Sequence, residues 1–279
     1  MIAGVADPAS TSGEKASMQV TGSIQVLTAP RAVRRYESGG YTDVTDNVLK
    51  EWTLRIHINS VLFAELICTP DNVEELVLGF LYSGGVISSG EDVESLELSH
   101  RDANVTLRAN ATGRSKARRY EAGSVVEQGD FVGVSAGLDD ICPDIVLTRI
   151  CWDPQAVLAN ATMLLNRSRL FKKTGNVHSV AICRGPDLLY FHEDVGRFNA
   201  FDKCVGHALK DGVDLSDTCV YTTGRIPSSI VAKTIRAGIP MIVSRSAPTQ
   251  AALALADTSG LTVVGFARGD RFNLYLPAE

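Results

Sequence analysis

The sequence predicts an α/β fold, with a mostly parallel sheet covered by helices on both faces in its C-terminal half. Three observations carry this. After about residue 143, short apolar runs alternate with helical stretches of about ten residues, the rhythm of βα units. The runs themselves are short, as buried strands are. Each of several apolar runs ends in a polar turn marked by Gly or Pro, and a helical pattern follows.

The elements follow in order. Residues 1–21 are rich in Ala, Ser and Gly without periodicity, which predicts a disordered tail. Residues 22–145 form a β-rich N-terminal domain. Its clearest strand is residues 52–58, which alternate apolar and polar side chains. Asn59-Ser60 then supplies a hairpin turn into residues 61–64. Residues 71–82 read as a helix, started by Thr69-Pro70-Asp71 and stopped by Gly84-Gly85. Residues 93–120 hold short strands, and the basic run 114–119 reads as a solvated loop. Residues 146–279 form the α/β core. It has helices at 154–171, 200–209, 228–237 and 249–258, and strands at 177–183, 218–222, 241–244, 261–266 and 272–276.

The totals exclude several functions. With 279 residues and 45% hydrophobic content, the chain can bury a sizeable core. A net charge of −5 argues against a nucleic-acid partner. No apolar run approaches the roughly 18 residues of a membrane span, and the N-terminus lacks the order of a signal peptide. Six scattered cysteines, four of them in apolar or β-like surroundings, fit a reduced, cytoplasmic protein. No His/Cys spacing fits zinc, and neither a P-loop nor G-x-G-x-x-G is present.

The most informative segment is His192 to Lys203, H-E-D-V-G-R-F-N-A-F-D-K. It follows the apolar run 188–191, so a strand is expected to end in this polar turn. Glu193 and Asp194 are candidates for proton transfer or positioning, with His178 from the start of a neighbouring strand. A helix cap with surface salt bridges is the plainer explanation of the same residues. Two further strand-to-helix turns carry hydroxyls and an Arg: Gly224-Arg225 within residues 222–229, and Ser244-Arg245 within residues 244–249. Backbone N–H groups at a helix start favour an anion, and Arg adds a bidentate donor. A fourth cluster, Gly265-Phe266-Ala267-Arg268-Gly269-Asp270-Arg271, offers two guanidiniums around a tight turn, suited to a pyrophosphate or to a plain charged hairpin.

Several stretches together resemble the formate dehydrogenase accessory proteins of the FdhD type, described as sulfur carriers or sulfurtransferases. They are C-T-P-D-N-V-E-E-L-V-L-G-F-L from Cys68, T-G-N-V-H-S-V-A from Thr174, E-D-V-G-R-F-N-A-F-D-K from Glu193, S-R-S-A-P-T from Ser244 and G-F-A-R-G-D-R from Gly265. The resemblance implies a cytidine-deaminase-like α/β/α core and a homodimer. It implies the molybdenum cofactor as ligand, in its bis-molybdopterin guanine dinucleotide form, with a guanine nucleotide as mimic. It implies a cysteine desulfurase and formate dehydrogenase as partners, and it places the cofactor stretch at Phe266 to Arg271.

The resemblance also implies a C-x-x-C pair just before the core. Here Ala136 and Asp139 stand at those positions, and neither can carry a persulfide. The nearest thiol is Cys142, among Asp139, Asp140 and Asp144, whose charges raise a thiol pKa. Asn176 replaces a second Gly, with access to the left-handed backbone, and Phe198 replaces a His. The expectation is a sulfur carrier acting through Cys142; the alternative is a non-catalytic cofactor binding and delivery protein.

Overall fold

The computed structural model describes residues 27–109, 125–128, 131–134 and 145–275. The predicted tail, the basic run, and Ala136, Asp139 and Cys142 lie outside the described residues.

The N-terminal part begins with a two-stranded ribbon, β1 (Thr28–Glu37) and β2 (Gly40–Leu49), paired along its whole length. Next come β3 (Trp52–Ile58) and β4 (Val61–Cys68), joined by the predicted turn. Asn59 and Ser60 both take positive φ, 49° and 71°, the backbone a two-residue hairpin needs. Helix α1 (Val73–Ser83) follows, then β5 (Val93–Ser99), β6 (Asp102–Leu107), β7 (Val125–Gln128) and β8 (Phe131–Val134). These strands make one sheet in the order β5-β6-β3-β4-β8-β7. Leu54, Ile56 and Leu66 on its inner face pack against Leu76, Val77 and Leu81 of α1.

The C-terminal part contains α2 (Pro154–Arg167), α3 (Arg169–Thr174), β9 (His178–Arg184), β10 (Asp187–Asp194) and α4 (Arg197–Asp211). It continues through β11 (Cys219–Thr222), α5 (Ser228–Arg236), β12 (Met241–Ser244), α6 (Gln250–Ser259), β13 (Thr262–Arg268) and β14 (Arg271–Tyr275). Its sheet runs β10-β9-β11-β12-β13-β14. Val157, Ala161 and Leu164 of α2 cover one face, against Ala181, Tyr221 and Val243. Side chains of α4, α5 and α6 cover the other, against Val180, Val220 and Ile242. The double covering matches expectation.

Three expectations need correction. The sheet is mixed rather than mostly parallel: only β11–β12 and β12–β13 are parallel pairs. The reason is local. Gly185-Pro186 and Gly269-Asp270 close tight hairpins, and a tight hairpin forces its strands antiparallel. The single helix expected over 154–171 is two helices. Buried Ser168 hydrogen-bonds through Oγ to the Leu164 carbonyl (2.9 Å) and to Ser179 Oγ (2.6 Å), and the chain breaks there. Finally, β10 continues through Asp194, so Glu193 and Asp194 lie on the strand, and the turn is Val195-Gly196 alone.

Helices α1 and α4 join the two parts. A Cβ at Gly79 would overlap the Asp202 carbonyl, and one at Gly206 would overlap the Glu75 carbonyl. Only glycine lets these two backbones touch.

Candidate functional site

Strand register gathers the predicted residues on one edge of the C-terminal sheet. Strands β11, β12 and β13 end there; β9, antiparallel to β11, begins there; and Asp194 of β10 pairs with His178. His178, Glu193, Asp194, Gly224, Arg225, Ser244 and Arg245 therefore share that edge. This is the carboxyl edge of the parallel strands, where open α/β sheets bind ligands.

Much of the hydroxyl chemistry is used to brace the turns. Ser244 Oγ donates to the Gly224 carbonyl (2.5 Å) and accepts from Ser246 N (2.9 Å), while Thr222 Oγ1 accepts from Gly224 N (3.0 Å). The start of α6 is closed by Thr249, whose side chain accepts from Ala252 N at 3.2 Å. The start of α5 has Pro227 at its N-cap and no side-chain cap. Beyond Gly265, strand β13 bulges, and Phe266 takes φ 55°. That is a rare backbone for an aromatic residue, of the kind that collects at functional sites. Ala267 is buried, and Arg268, Gly269, Asp270 and Arg271 form an exposed hairpin end. Arg225 is exposed as well.

A cavity of about 290 Å³ opens beside β9, β11 and β12. Of the predicted residues, it takes His178 and Arg245 into its wall. Thr223, Asn176, Ser168 and Phe171 join them. His178 Nδ1 lies 3.4 Å from Thr223 Oγ1. Arg245 Nε is buried and hydrogen-bonds to nothing among the described residues. A buried donor left unmet costs about 1–3 kcal/mol, so a group that supplies an acceptor gains by binding there. Gly175, not Asn176, uses the left-handed backbone, at φ 68°.

Glu193 and Asp194 sit beside this cavity but face other partners. Glu193 Oε2 accepts from Leu170 N (3.1 Å), and its Oε1 from Phe171 N (3.2 Å) and Ser179 Oγ (3.4 Å). Burial pushes its pKa up, against the pull of those donors. Asp194 is fully buried. It accepts from Thr69 N (3.1 Å), Thr69 Oγ1 (2.8 Å), Gly196 N (2.9 Å) and Asn199 Nδ2 (3.0 Å). It also pairs with Lys203 Nζ at 2.7 Å, and Lys203 pairs with Asp71 at 2.7 Å. Burial works to lower the Lys203 pKa, but Asp194 and Asp71 outweigh it and hold the ammonium charged. Asn199 Nδ2 also donates to the Ile67 carbonyl at 2.7 Å. This network ties the loop before α1 to the start of α4. Phe198, where the resemblance places a His, lies in the core under the Arg197 guanidinium, 4.6 Å from its ring centre.

Local pattern did not reveal the partners of Lys203, or Phe171 as a wall residue; Thr223 belongs to the turn over 222–229 that the sequence singled out. No short-range signal pairs Lys203 with a residue 132 positions away.

The thiols divide sharply. Cys68, Cys183, Cys204 and Cys219 are buried, and burial pushes their pKa values up, to about 12 for Cys68 and Cys183. A thiol so held is a poor nucleophile. Cys151 is exposed. Among the described residues, no group of three or more His, Cys, Asp or Glu is arranged to hold a metal ion. Nor is any described helix long and apolar enough to cross a membrane.

Comparison with known proteins accounts for these motifs together. The model of the FdhD/NarQ family matches residues 49–279. The chain is 31% identical over 255 residues to a protein of Listeria innocua named sulfur carrier protein FdhD, covering 89% of this chain and 97% of that one. It is 33% identical over 259 residues to the protein of that name from Bacillus subtilis, covering 91% and 97%. A crystal structure titled as a formate dehydrogenase accessory protein, from Desulfotalea psychrophila, superposes with a TM-score of 0.71 at 26% identity, over 89% of this chain and 96% of that one. A match that takes in α1, the sheet edge, its turns and the Phe266 bulge places them in one shared architecture, and the chain belongs to the FdhD/NarQ family.

Proposed function

We propose that this chain serves formate dehydrogenase maturation, carrying sulfur from a cysteine desulfurase to the molybdenum cofactor. One observation carries this: membership of the family across residues 49–279, with relatives named as sulfur carriers. The sheet edge supports it. An unmet guanidinium N–H at Arg245, beside His178 and Thr223, suits a phosphate oxygen. A cavity of about 290 Å³ suits one base or phosphate group of a guanine dinucleotide, with the remainder lying outside along the edge. In this reading Arg225, Arg268 and Arg271, all exposed on the strand-end turns, hold those outer phosphates. The same proposal includes a homodimer, a cytidine-deaminase-like layering of the core, and a division of the chain near residue 145.

The sulfur step falls to Cys142. Its thiolate attacks the outer sulfur of the desulfurase persulfide. A new S–S bond forms on Cys142, the desulfurase S–S bond breaks, and the desulfurase cysteine leaves as thiolate, with no net oxidation. Intact-protein mass spectrometry after incubation with a desulfurase and cysteine tests this. A gain of one sulfur atom on the native chain, absent from Cys142→Ser, is the expected result.

The alternative is a cofactor binding and delivery protein without sulfur chemistry. Ala136 and Asp139, where the resemblance places the cysteine pair, favour it. No sulfur gain on either protein, with guanine-nucleotide binding retained, selects that alternative.

A further inference from the structure

We infer that α3 is a short lid over the cavity, clipped in place by the Glu193 carboxylate and presenting Phe171 to a planar base. The inference rests on the proposed guanine-nucleotide ligand and adds the residues that select it.

Helix α3 has six residues and a break at each end. At Ser168 the chain leaves the helical region, with φ −66° and ψ 77°, and at Gly175 it turns left-handed. A Cβ at Gly175 would meet nothing within 4 Å, so the glycine serves backbone conformation rather than close packing. A helix this short does not persist on its own propensity, so tertiary bonds set its position. Two features hold it. Leu170 is buried in a small core with Leu27 and Val177. Glu193, on the sheet, accepts from the first N–H groups of the helix, at Leu170 and Phe171. Negative charge at a helix start is favourable, and the half-buried carboxylate, bonded to two N–H groups at once, makes the clip specific.

Phe171 follows directly from that clip. It is 47% exposed, yet it lines the cavity whose other walls carry His178, Thr223 and Arg245. An exposed aromatic beside an unmet guanidinium N–H suits a ligand with a flat ring and an anionic tail. The ring stacks on Phe171 while the anion meets Arg245. In this arrangement Phe171 determines specificity for a base, and Glu193 is a positioning residue that touches no ligand.

The test uses the full chain and two ligands, guanosine diphosphate and inorganic pyrophosphate. Phe171→Ala should weaken guanosine diphosphate about tenfold, the scale of one base-stacking contact, and leave pyrophosphate unchanged. Glu193→Ala should weaken guanosine diphosphate similarly and speed amide exchange at residues 170–175. Glu193→Gln keeps an acceptor for one N–H and should recover most of both effects. Unchanged guanosine diphosphate affinity in Phe171→Ala, or an equal loss for pyrophosphate, overturns the lid while leaving the proposed ligand standing. Failure of the native chain to bind guanosine diphosphate overturns both. If Glu193→Ala does not fold, Phe171→Ala and Glu193→Gln decide the matter: in Glu193→Gln, some speeding of exchange at 170–175 with near-native affinity is expected, and native exchange there overturns the clip.

Discussion

Two polar clusters lie almost side by side on the same sheet edge, and they are built on opposite terms. Around Asp194, every group has its partner: four donors and the Lys203 ammonium converge on one carboxylate, and Asp71 takes the other side of the lysine. Around the cavity, Arg245 Nε is buried with no acceptor among the described residues, and Phe171 is half exposed. The first cluster is complete, so it can only hold structure. The second has unmet capacity, and binding would fill it. Residues of the His192 to Lys203 segment went mostly to the first, although their chemistry alone would have suited the second.

The largest break in this comparison is Lys203→Met. It leaves Asp194 and part of Asp71 as buried charge without a cation, which should cost about 3–5 kcal/mol in urea unfolding. A loss below about 1 kcal/mol would mean that the network is far wetter than its burial implies. Gly79→Ala comes next. Its new methyl overlaps the Asp202 backbone, and neither helix can yield without moving the other. About 2–3 kcal/mol is expected, together with weaker coupling between the two sheets, read as separated unfolding transitions.

The pH dependence of stability sharpens the same contrast. His192 is buried, and burial lowers its pKa to about 3. Its depressed value means the native state holds it neutral while the unfolded chain protonates near pH 6.5. Stability is therefore full above pH 6.5 and is lost as pH falls, at about 1.4 kcal/mol per pH unit, or roughly 2 kcal/mol by pH 5. His192→Gln should flatten that slope in urea titrations at pH 7 and pH 5. An identical slope in both proteins would assign the acid sensitivity elsewhere.

The fold was legible where its cause is local. Residues 241–244 and 52–58 were read from short-range pattern alone, and the Asn59-Ser60 turn from its two residues. The strand directions were not: Gly269-Asp270 reads equally as a ligand turn or a charged hairpin, and the alternation of apolar runs with helices carries no sign of the tight turn at Gly185-Pro186. The break at Ser168 depends on a bond to Ser179, a residue on the sheet, and helical periodicity carries no trace of it. The site was legible as a set of turns, since strand ends place turns on an edge. Which of its polar groups are already satisfied depends on Thr69 and Asp71, more than a hundred positions away.

The smallest effect on stability should come from the arginines, and there the comparison is decided. Arg268→Ala and Arg271→Ala remove exposed side chains and should each change unfolding by less than about 0.5 kcal/mol. Arg245→Ala removes an unmet donor and should not destabilise the fold. Binding should respond differently at the three positions. Arg245 is half-buried in the cavity wall, where a charge-assisted bond is screened less than in open solvent, and its loss should weaken guanosine diphosphate about tenfold or more. Arg268 and Arg271 act from solvent, and their losses should be a few-fold and fade at high salt. Calorimetric titration at two salt concentrations separates the cases. A salt-resistant loss at Arg245 and a salt-sensitive one at the hairpin would place the buried phosphate contact at β12 and leave the hairpin with the outer charges. The reverse pattern would move the anion site to the Phe266 bulge, and the strained backbone there would then have its explanation.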